Sequence, residues 1–488
     1  MTMDINNRLI FTRDSSTQEH PHAKEELLNQ YLVELEKQFT VSTETLKEIT
    51  GHFIGELERG LEKPNQVVPM YPTYVFGWPQ GNETGDYLAL DMGGTNIRVC
   101  LVTVKGNGEF ELTQTKYRIS NEQKREDGEK LFDFFAESIR HFIEHQYGSI
   151  DKVPGTLSLG FTFSFPTEQN AIDQGVLRQW TKGFANPNTE GHDCAEMLRQ
   201  ALKRKNVPVQ LNSIINDTTG TLIASNYVRN DTRIACIFGT GCNAAYMEDI
   251  KSIPKIKDLD LPPNEQMVIN CEYGAFDSDE HKFMKSARTK YDEIIDRDST
   301  KPDKQTFEKM ISGLYLGELF RLVICELVYN GVLFLGQETY KIEKKGVFDT
   351  AFLSLIETDP TDELLTVVGL FKYFFSLETD IEERRFFKKL AQLIGTRSAR
   401  LSACGIASIT RKKGLLETMP SFTVGVDGSL FSKYPHFPDR LKEALVDILG
   451  PKAKNINLQQ AEDGSGAGSA VIAAMTKARK EAGVHEEL

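Results

Sequence analysis

Leu90-Asp-Met-Gly-Gly-Thr-Asn-Ile-Arg98 joins two apolar runs, and the pattern predicts two β-strands connected by a tight turn. Glycines in such a turn let backbone N–H groups approach a phosphate closely, Thr95 and Asn96 add hydrogen-bond donors, and Asp91 can hold hydrated Mg²⁺. The alternative is a plain hairpin, because Gly-Gly and Asn are common turn residues. This segment alone leaves both interpretations open.

Two further glycine-rich segments have a similar setting. Gly239-Thr240-Gly241 follows the apolar run Arg233-Ile-Ala-Cys-Ile-Phe238 and repeats the first turn in outline. Ala461-Glu-Asp-Gly-Ser-Gly-Ala-Gly-Ser469 opens the last predicted helix, where free N–H groups and the helix dipole favour an anion. The sequence has neither a P-loop nor the protein-kinase signature set, so a nucleotide would need another phosphate-binding cradle.

Asp217 is the candidate general base. It lies in Leu211-Asn-Ser-Ile-Ile-Asn-Asp-Thr-Thr-Gly220, where an apolar strand is predicted to end and a helix to begin. Sites in α/β proteins gather at such junctions, and Asn216 beside it offers amide groups to a sugar. The alternative role for Asp217 is that of a helix N-cap, a common duty for aspartate. The two interpretations are close on the residues alone.

Hydrophobic periodicity predicts layered α/β architecture. Apolar residues at helical spacing predict two amphipathic helices within residues 22–62 and long helices at Phe307–Tyr329 and Ile381–Ile409. Strands are predicted at Thr156–Phe163 and on either side of the glycine turns. The pattern of Asn455–Lys480 predicts a strand, a loop and a helix in that order. Alternating strands and helices indicate α/β layers.

Composition narrows the class of protein. The chain has 488 residues, 40% of them hydrophobic, and a net charge of −13 from 57 basic and 70 acidic residues. We expect two or three lobes, no direct nucleic-acid partner and no membrane partner, since no basic run offsets the negative charge. The seven cysteines are scattered, which is typical of reduced thiols and a cytoplasmic location.

A series of motifs resembles the hexokinase family, above all its single-unit fungal members. The resemblance covers about residues 22–475, and its blocks follow in the family's order: Leu90–Arg98, Leu159-Gly-Phe-Thr-Phe-Ser-Phe-Pro166, Leu177-Arg-Gln-Trp-Thr-Lys-Gly-Phe184, Ile215-Asn-Asp-Thr218, Ile237-Phe-Gly-Thr-Gly-Cys-Asn243, Ile269-Asn-Cys-Glu-Tyr-Gly274, Val424-Gly-Val-Asp-Gly-Ser429 and Glu462-Asp-Gly-Ser-Gly466.

The resemblance implies the actin-like ATPase (ribonuclease H-like) fold, an α/β fold with two lobes and a ligand cleft between them. It implies a leader at 1–21, helices packing on the large lobe at 22–79, a small lobe at 80–214, a large lobe at 215–475 and a C-terminal end at 476–488. It also implies transfer of the γ-phosphoryl group of MgATP to the 6-hydroxyl of glucose, and of fructose and mannose, as the first step of glycolysis. A monomer or weak homodimer is expected.

The resemblance also implies site residues. Asp217 would be the general base and Lys182 would offset charge on the transferring group. The hexose contacts would be Ser164, Thr181, Lys182, Asn216, Asp217, Asn243, Glu272 and Glu308. ATP contacts would be Asp91 (also to Mg²⁺, through water), Gly93, Gly94, Thr95, Asn96, Arg98, Lys116, Gly239, Thr240, Gly241, Thr350, Ser354, Gly428, Ser429, Gly464 and Ser465.

One departure from the family and two rival functions stay open. Before Glu308 the family usually has Pro-Gly-Gln-Gln, whereas here Asp303 and Lys304 replace the glycine and the first glutamine. The change is either tolerated in a surface loop or alters hexose preference. A non-catalytic sugar sensor could keep most of the binding residues, but it would not require Asp217. An actin-like chaperone or filament protein would share the phosphate turns, but not Thr181-Lys182, Asn216-Asp217 and Glu272 together.

Overall fold

The computed structural model describes residues 2–3, 9–10, 21–94, 96–259 and 261–483, with side chains from residue 24 onward. Most of the predicted leader, 1–21, therefore lies outside the described residues. In the described part, the larger strands form a five-stranded and a six-stranded sheet, each covered by helices.

The strands are β1 Thr2–Met3, β2 Leu9–Ile10, β3 Tyr71–Phe76, β4 Thr84–Met92, β5 Asn96–Gly106, β6 Glu109–Arg118, β7 Leu157–Phe163, β8 Thr167–Glu168, β9 Val176–Leu177, β10 Val209–Ile215, β11 Thr232–Phe238, β12 Cys242–Asp249, β13 Gln266–Asn270, β14 Phe422–Asp427 and β15 Ile456–Gln460.

The α-helices are α1 Pro21–Phe39, α2 Thr43–Glu62, α3 Gly128–Tyr147, α4 Cys194–Arg204, α5 Asp217–Val228, α6 Lys290–Arg297, α7 Thr306–Ile311, α8 Gly313–Tyr329, α9 Tyr340–Glu343, α10 Thr350–Thr358, α11 Leu365–Leu370, α12 Ile381–Lys412, α13 Leu415–Thr418, α14 Ser429–Lys433, α15 Phe437–Leu449 and α16 Gly464–Glu481. A π-helical turn spans Phe371–Phe375, and short 3₁₀ helices span Ile150–Lys152, Ile250–Ser252, Pro254–Ile256, Tyr273–Ala275 and Pro451–Asn455.

The two sheets share one topology. The first has the order β10-β7-β4-β5-β6, with β4, β5 and β6 antiparallel and β7 and β10 added in parallel. The second repeats this arrangement with β11, β12 and β13 antiparallel and β14 and β15 in parallel, and β3 adds an edge strand. The repeat that the two turns suggest in outline is therefore present in the strand order. Both glycine turns connect the first two strands of the repeated five-strand arrangement, β4 to β5 and β11 to β12.

The predicted helices are present, with one error. The pair predicted within 22–62 is confirmed as α1 and α2, and the predicted helix at 381–409 is confirmed as α12, which begins at an Asp380 capping box. The prediction of one helix from Phe307 to Tyr329 is wrong, because Ser312 is extended (φ −86°, ψ 152°) and separates α7 from α8. Tertiary contact causes the break, since the amide of Gly313 donates to the carbonyl oxygen of Gly239 at 2.8 Å.

The last helix, α16, crosses the predicted domain boundary at 475/476. α16 lies against β4, β7 and β10 of the first sheet and against α5. Small residues permit the contact, since a Cβ on Gly160 would lie 2.3 Å from the carbonyl oxygen of Ser469. Residues 464–475, which the resemblance assigns to the large lobe, therefore contact both the first sheet and α5, which in turn packs on β11 and β12 of the second sheet. The N-terminal helices α1 and α2 pack on α12.

The state of the cysteines and the character of the helices bear on the class of protein. The seven cysteines are free, and all except Cys325 are buried, as the scattered spacing predicts for reduced thiols. Among the described residues, no helix combines the length and the apolar character needed to cross a membrane.

Candidate active site

The first glycine turn joins the N-terminal end of the last helix through side chains. Asp91, at the end of β4, accepts hydrogen bonds at its Oδ2 from Ser465 Oγ (2.7 Å) and from Arg98 Nη2 (3.0 Å). Arg98 also lies 2.7 Å from Asp463 Oδ1 and donates to Ser465 Oγ at 2.6 Å. The two motifs are more than 360 residues apart in sequence. Their contacts therefore form one polar cluster at the end of β4 in the first sheet.

Negative charge is concentrated around this cluster. Burial raises the pKa of Asp91, and the nearby carboxylate of Asp217 raises it further, while Arg98 opposes the shift. Burial also raises the pKa of Asp427, with further contributions from Asp217 and Asp463. Asp217 thus acts on both Asp91 and Asp427, Asp463 acts on Asp427, and Arg98 is a cation among these carboxylates. Such a site favours a bound divalent cation with oxygen ligands.

The second glycine turn lies against two other motifs. Gly239 N donates to Gly241 O at 3.0 Å, and the first two amides of α8 donate to the carbonyl oxygens of Gly239 and Thr240 at 2.8 and 3.3 Å. A Cβ on Gly239 would lie 3.5 Å from Cα of Gly428, so the segment Gly428–Ser429 packs directly on the turn. The structure therefore brings together the turn, Gly428–Ser429 and the start of α8.

Asp217 is the first residue of α5, and its side chain is not the helix cap. Asn216 is the N-cap, because its Oδ1 accepts the amide of Thr218 at 2.8 Å. Asp217 Oδ1 accepts the same amide at 2.7 Å and the Thr218 hydroxyl at 3.2 Å. The N-cap alternative for Asp217 is therefore wrong, and Asn216, predicted as a sugar contact, uses its side-chain oxygen for capping.

Glu272 is held by two asparagine side chains. Asn243 Nδ2 and Asn270 Nδ2 each donate to Glu272 Oε1 at 3.0 Å, and the amide of Glu272 donates to Asn243 Oδ1 at 2.9 Å. Its backbone is left-handed (φ 51°), which directs the side chain off the end of β13. Burial raises the pKa of Glu272 to about 7, with further contributions from Asp217 and Glu308.

Glu308, on α7, lies beside the second glycine turn. Its Oε2 accepts the amide of Cys242 at 3.1 Å, and burial raises its pKa. A Cβ on Gly241 would lie 2.6 Å from this oxygen, so the turn fits only without a side chain there. Glu272 and Glu308 are therefore close to each other, with Asp217 acting electrostatically on Glu272.

The loop of the first lobe provides a cation opposite these carboxylates. Lys182 has a left-handed backbone (φ 56°), and its Nζ donates to Ser164 O at 2.7 Å and lies 4.8 Å from the ring centroid of Phe165. Its positive charge acts on both Glu272 and Glu308 and opposes the rise in pKa that burial causes in each. Phe161, Phe163 and Phe165, which alternate along the segment that contains Ser164, are buried.

One predicted ATP contact, Thr350, already uses its hydroxyl for hydrogen bonds within the protein. The Thr350 hydroxyl donates to Gly313 O at 2.5 Å and accepts the amide of Gly317 at 2.9 Å, so it joins α10 to α8. Ser354 lies one turn further along α10 and accepts the Thr358 hydroxyl with its carbonyl oxygen. Lys116 is exposed on β6, directly opposite Arg98. Thr95 lies outside the described residues.

Sequence reasoning missed four polar residues of the site. Asp463 and Asp427 belong to quoted motifs but were not singled out, and Asn270, which holds Glu272, lies in another. The fourth is Gln305, whose buried Oε1 has no hydrogen-bond partner among the described residues. Each could have been found by examining every polar residue of the quoted blocks and of the segment before Glu308.

Two family profiles described as Hexokinase match residues 31–227 and 233–475. The chain belongs to the hexokinase family. Among curated relatives, the hexokinase of Emericella nidulans is 46% identical over 464 residues, covering 93% of this chain and 92% of the relative. Hexokinase-1 of Schizosaccharomyces pombe is 46% identical over 450 residues, covering 92% and 91%. The predicted family is thereby confirmed.

Solved hexokinases share the fold. A hexokinase of Schistosoma mansoni, in complex with glucose, superimposes with a TM-score of 0.82 at 35% identity and covers 92% of this chain and 99% of that one. The predicted actin-like ATPase fold, with two lobes and a cleft, is confirmed. As a member of this family, the hexokinase is an ATP-dependent phosphotransferase that acts on hexoses.

Proposed function

We propose that this hexokinase transfers the γ-phosphoryl group of ATP to the 6-hydroxyl of glucose, and also of fructose and mannose, with Asp217 as general base. One observation carries the proposal. Asp217 begins α5, which packs against α16, the helix that carries Ser465 beside Asp91. The same helix packs against β12 and β13, and Asn243 of β12 holds Glu272. This packing supports a position for Asp217 between the residues that would hold the nucleotide and those that would hold the sugar.

The hexose would bind between Glu272, Glu308 and Asn243 of the large lobe and Ser164, Thr181 and Lys182 of the small lobe. A sugar hydroxyl is both donor and acceptor, so carboxylates and amides can fix each hydroxyl and reject analogues that lack it. The buried Oε1 of Gln305, which has no hydrogen-bond partner within the described part of the chain, is a further acceptor for a hydroxyl at this site. The glucose in the Schistosoma mansoni structure supports this choice of ligand.

The nucleotide would bind across the glycine turns, with Gly464 and Ser465 on its other side. Arg98 and Ser465 both donate to Oδ2 of Asp91, and this carboxylate would hold Mg²⁺ through water. The excess of carboxylates fits a hard cation, because Mg²⁺ prefers oxygen ligands and retains waters. Bound Mg²⁺ would supply neutralisation of phosphate charge.

Phosphoryl transfer depends on alignment, charge neutralisation and a proton acceptor. Asp217 would accept the proton of the 6-hydroxyl as the oxygen attacks the γ-phosphorus. Lys182 would offset the charge that develops on the transferring oxygens. Closing the lobes around the sugar would exclude water, so ATP would not be hydrolysed in the absence of hexose. We keep the predicted division into a small lobe at 80–214 and a large lobe at 215–475 as part of this proposal.

A coupled ADP-release assay over a panel of hexoses tests the proposed function. We expect no ADP release with ATP alone and rapid release with glucose, fructose or mannose. ATP turnover that does not depend on hexose would indicate a chaperone or filament protein instead. Glucose binding without ADP release would indicate a sugar sensor.

We further propose a cytoplasmic location and a monomer or weak homodimer. The free cysteines support a reducing compartment. Size-exclusion chromatography with light scattering tests the oligomeric state, and a stable larger assembly would contradict it.

A further inference from the structure

The segment 301–305 is the place where the sequence departs from the family, and its backbone is unusual. Asp303 and Gln305 both have left-handed conformations, with φ of 62° and 57°. A residue other than glycine costs about 1–3 kcal/mol in this region, although aspartate and asparagine tolerate it best. An aspartate in place of the family's glycine therefore persists only where surrounding contacts hold it.

A buried carboxylate anchors the backbone of this segment. The amide of Asp303 lies 3.1 and 3.2 Å from the two carboxylate oxygens of Asp296, which is buried. Lys309 Nζ donates to Asp296 Oδ1 at 2.6 Å and to the carbonyl oxygen of Lys301 at 2.8 Å. Because Lys309 follows Glu308 on α7, the loop and the helix that carries Glu308 share one anchor.

The side chain of Asp303 adds a second anchor. Its Oδ1 lies 3.1 Å from His281 Nε2, and His281 Nδ1 lies 3.1 Å from the hydroxyl of Thr306, the first residue of α7. The hydrogen bond from His281 lowers the pKa of Asp303. Glycine could keep the backbone anchor at Asp296, but it would lose this contact. The carboxylate of Asp303 is therefore what links the loop to His281 and, through it, to the start of α7.

The grouping of His281, Asp296 and Asp303 could in principle hold a metal ion, since their ligand atoms lie within 4.8 Å of one another. The surrounding charges favour another role. Asp296 is already paired with Lys309 and, at 3.0 Å, with Arg288 Nη2. These two cations would repel a third, so the protein itself neutralises the cluster.

The anchored segment touches both sides of the hexose site. At its end, Gln305 precedes α7 and presents a buried Oε1 that no described residue hydrogen-bonds, and Glu308 follows within the same helical turn. At its beginning, Lys301 Nζ donates to Gln179 Oε1 in the first lobe at 3.0 Å. Gln179 lies two residues before Thr181. The position of the segment thus affects groups from both lobes.

We infer that Asp303 is a positioning residue for the hexose: its contact with His281 holds the segment 301–305 in the binding geometry before the sugar arrives. The inference rests on the proposed hexose site. A loop that is already ordered loses less conformational entropy when the ligand binds, so the ligand binds more tightly than it does to a flexible loop. Glycine at 303 would leave the segment with more conformations in the free enzyme, and the hexose would have to select among them.

The test uses three single variants in steady-state assays with glucose and ATP. Asp303→Gly should raise the KM for glucose about threefold to tenfold, because it loses the contact with His281 that orders the loop. The kcat and the KM for ATP should stay within about twofold of the parent. Asp303→Asn tolerates the backbone and can still accept a hydrogen bond from His281, so it should stay within about twofold of the parent. Lys304→Gln is the matched control, because the Lys304–Asp279 pair is exposed.

Several results would overturn the inference. One is a parental KM for glucose in Asp303→Gly, and another is an equal rise in Asp303→Gly and Asp303→Asn. A fall in kcat together with the melting temperature would show a general structural role instead. Folding of Asp303→Gly is expected, because glycine relieves the left-handed strain. If the parent releases no ADP with any hexose, the proposed function fails. If the parent is active and Asp303→Gly has the same KM for glucose, the proposed function stands and only the role of Asp303 fails.

Discussion

A Cβ atom on Gly468 would lie 2.0 Å from the carbonyl oxygen of Gly220. The two glycines mark the crossing of α16, which packs on the first sheet, and α5, which begins at Asp217. The crossing fixes the helix that carries the proposed base relative to the helix that carries Ser465. The position of the base is therefore coupled to the packing between the lobes.

Gly468→Ala should consequently destabilise the protein and reduce activity. A methyl group at this distance forces the helices apart, and overpacking costs about 1–3 kcal/mol. The matched control is Gly51→Ala, in α2, where an added Cβ meets nothing within 4 Å. The control should be neutral or more stable by up to about 1 kcal/mol. Urea unfolding and kcat measure both, and equal stability of the two variants would contradict the close crossing.

Much of this architecture could be predicted from the sequence, because the signals are local. Alternating apolar runs with glycine turns predict β4–β5 and β11–β12, and helical spacing predicts α1, α2 and α12. The break at Ser312 could not be predicted, since the helical pattern runs through it and the cause is a hydrogen bond to the distant Gly239. The packing of α16 on the first sheet is likewise a contact between segments far apart in sequence.

The site was predicted at the level of motifs rather than of individual hydrogen bonds. Asn216 and Asp217 are both good N-cap residues, so sequence alone could not tell which one caps α5. Thr350 is a predicted ATP contact, but its hydroxyl joins α10 to α8, which depends on the approach of Gly313 and Gly317. Resemblance identifies the residues near a site, whereas tertiary contacts decide which atoms remain available to a ligand.

Hexose affinity should depend on pH through Glu272. Burial raises its pKa to about 7, so the free enzyme holds it protonated below that pH. Sugar hydroxyls that donate to Glu272 favour its ionised form, so binding must release a proton at low pH. The Kd for glucose should therefore rise as pH falls below about 7, by up to about tenfold per pH unit, and level off above it.

Intrinsic fluorescence can measure this affinity without ATP, because Trp180 lies next to Thr181 and Trp78 is the other tryptophan. Glu272→Gln should bind glucose more weakly but with little pH dependence between about pH 5.5 and 8.5. A parental enzyme whose Kd is constant over this range would contradict the proposed role of an ionised Glu272.

The buried pair of Arg397 and Asp292 should be a main determinant of stability. Arg397, on α12, donates to both carboxylate oxygens of Asp292 at 2.7 Å, and neither side chain is more than 2% exposed. Arg397→Met would leave a buried carboxylate without its cation, which costs about 3–5 kcal/mol. Chemical denaturation should show this loss, and adding Asp292→Asn should recover part of it. A single variant as stable as the parent would contradict the prediction.

The most direct test of the proposed mechanism is the rate of glucose-dependent ADP release by Asp217→Asn. The amide keeps the size of the side chain and can still accept the amide of Thr218, as Asp217 Oδ1 does at 2.7 Å. It cannot accept the hydroxyl proton as a base, so kcat should fall about 10²–10⁴-fold, while the Kd for glucose should change less than about tenfold. ADP release at the parental rate by Asp217→Asn would contradict the assignment of this carboxylate as the base.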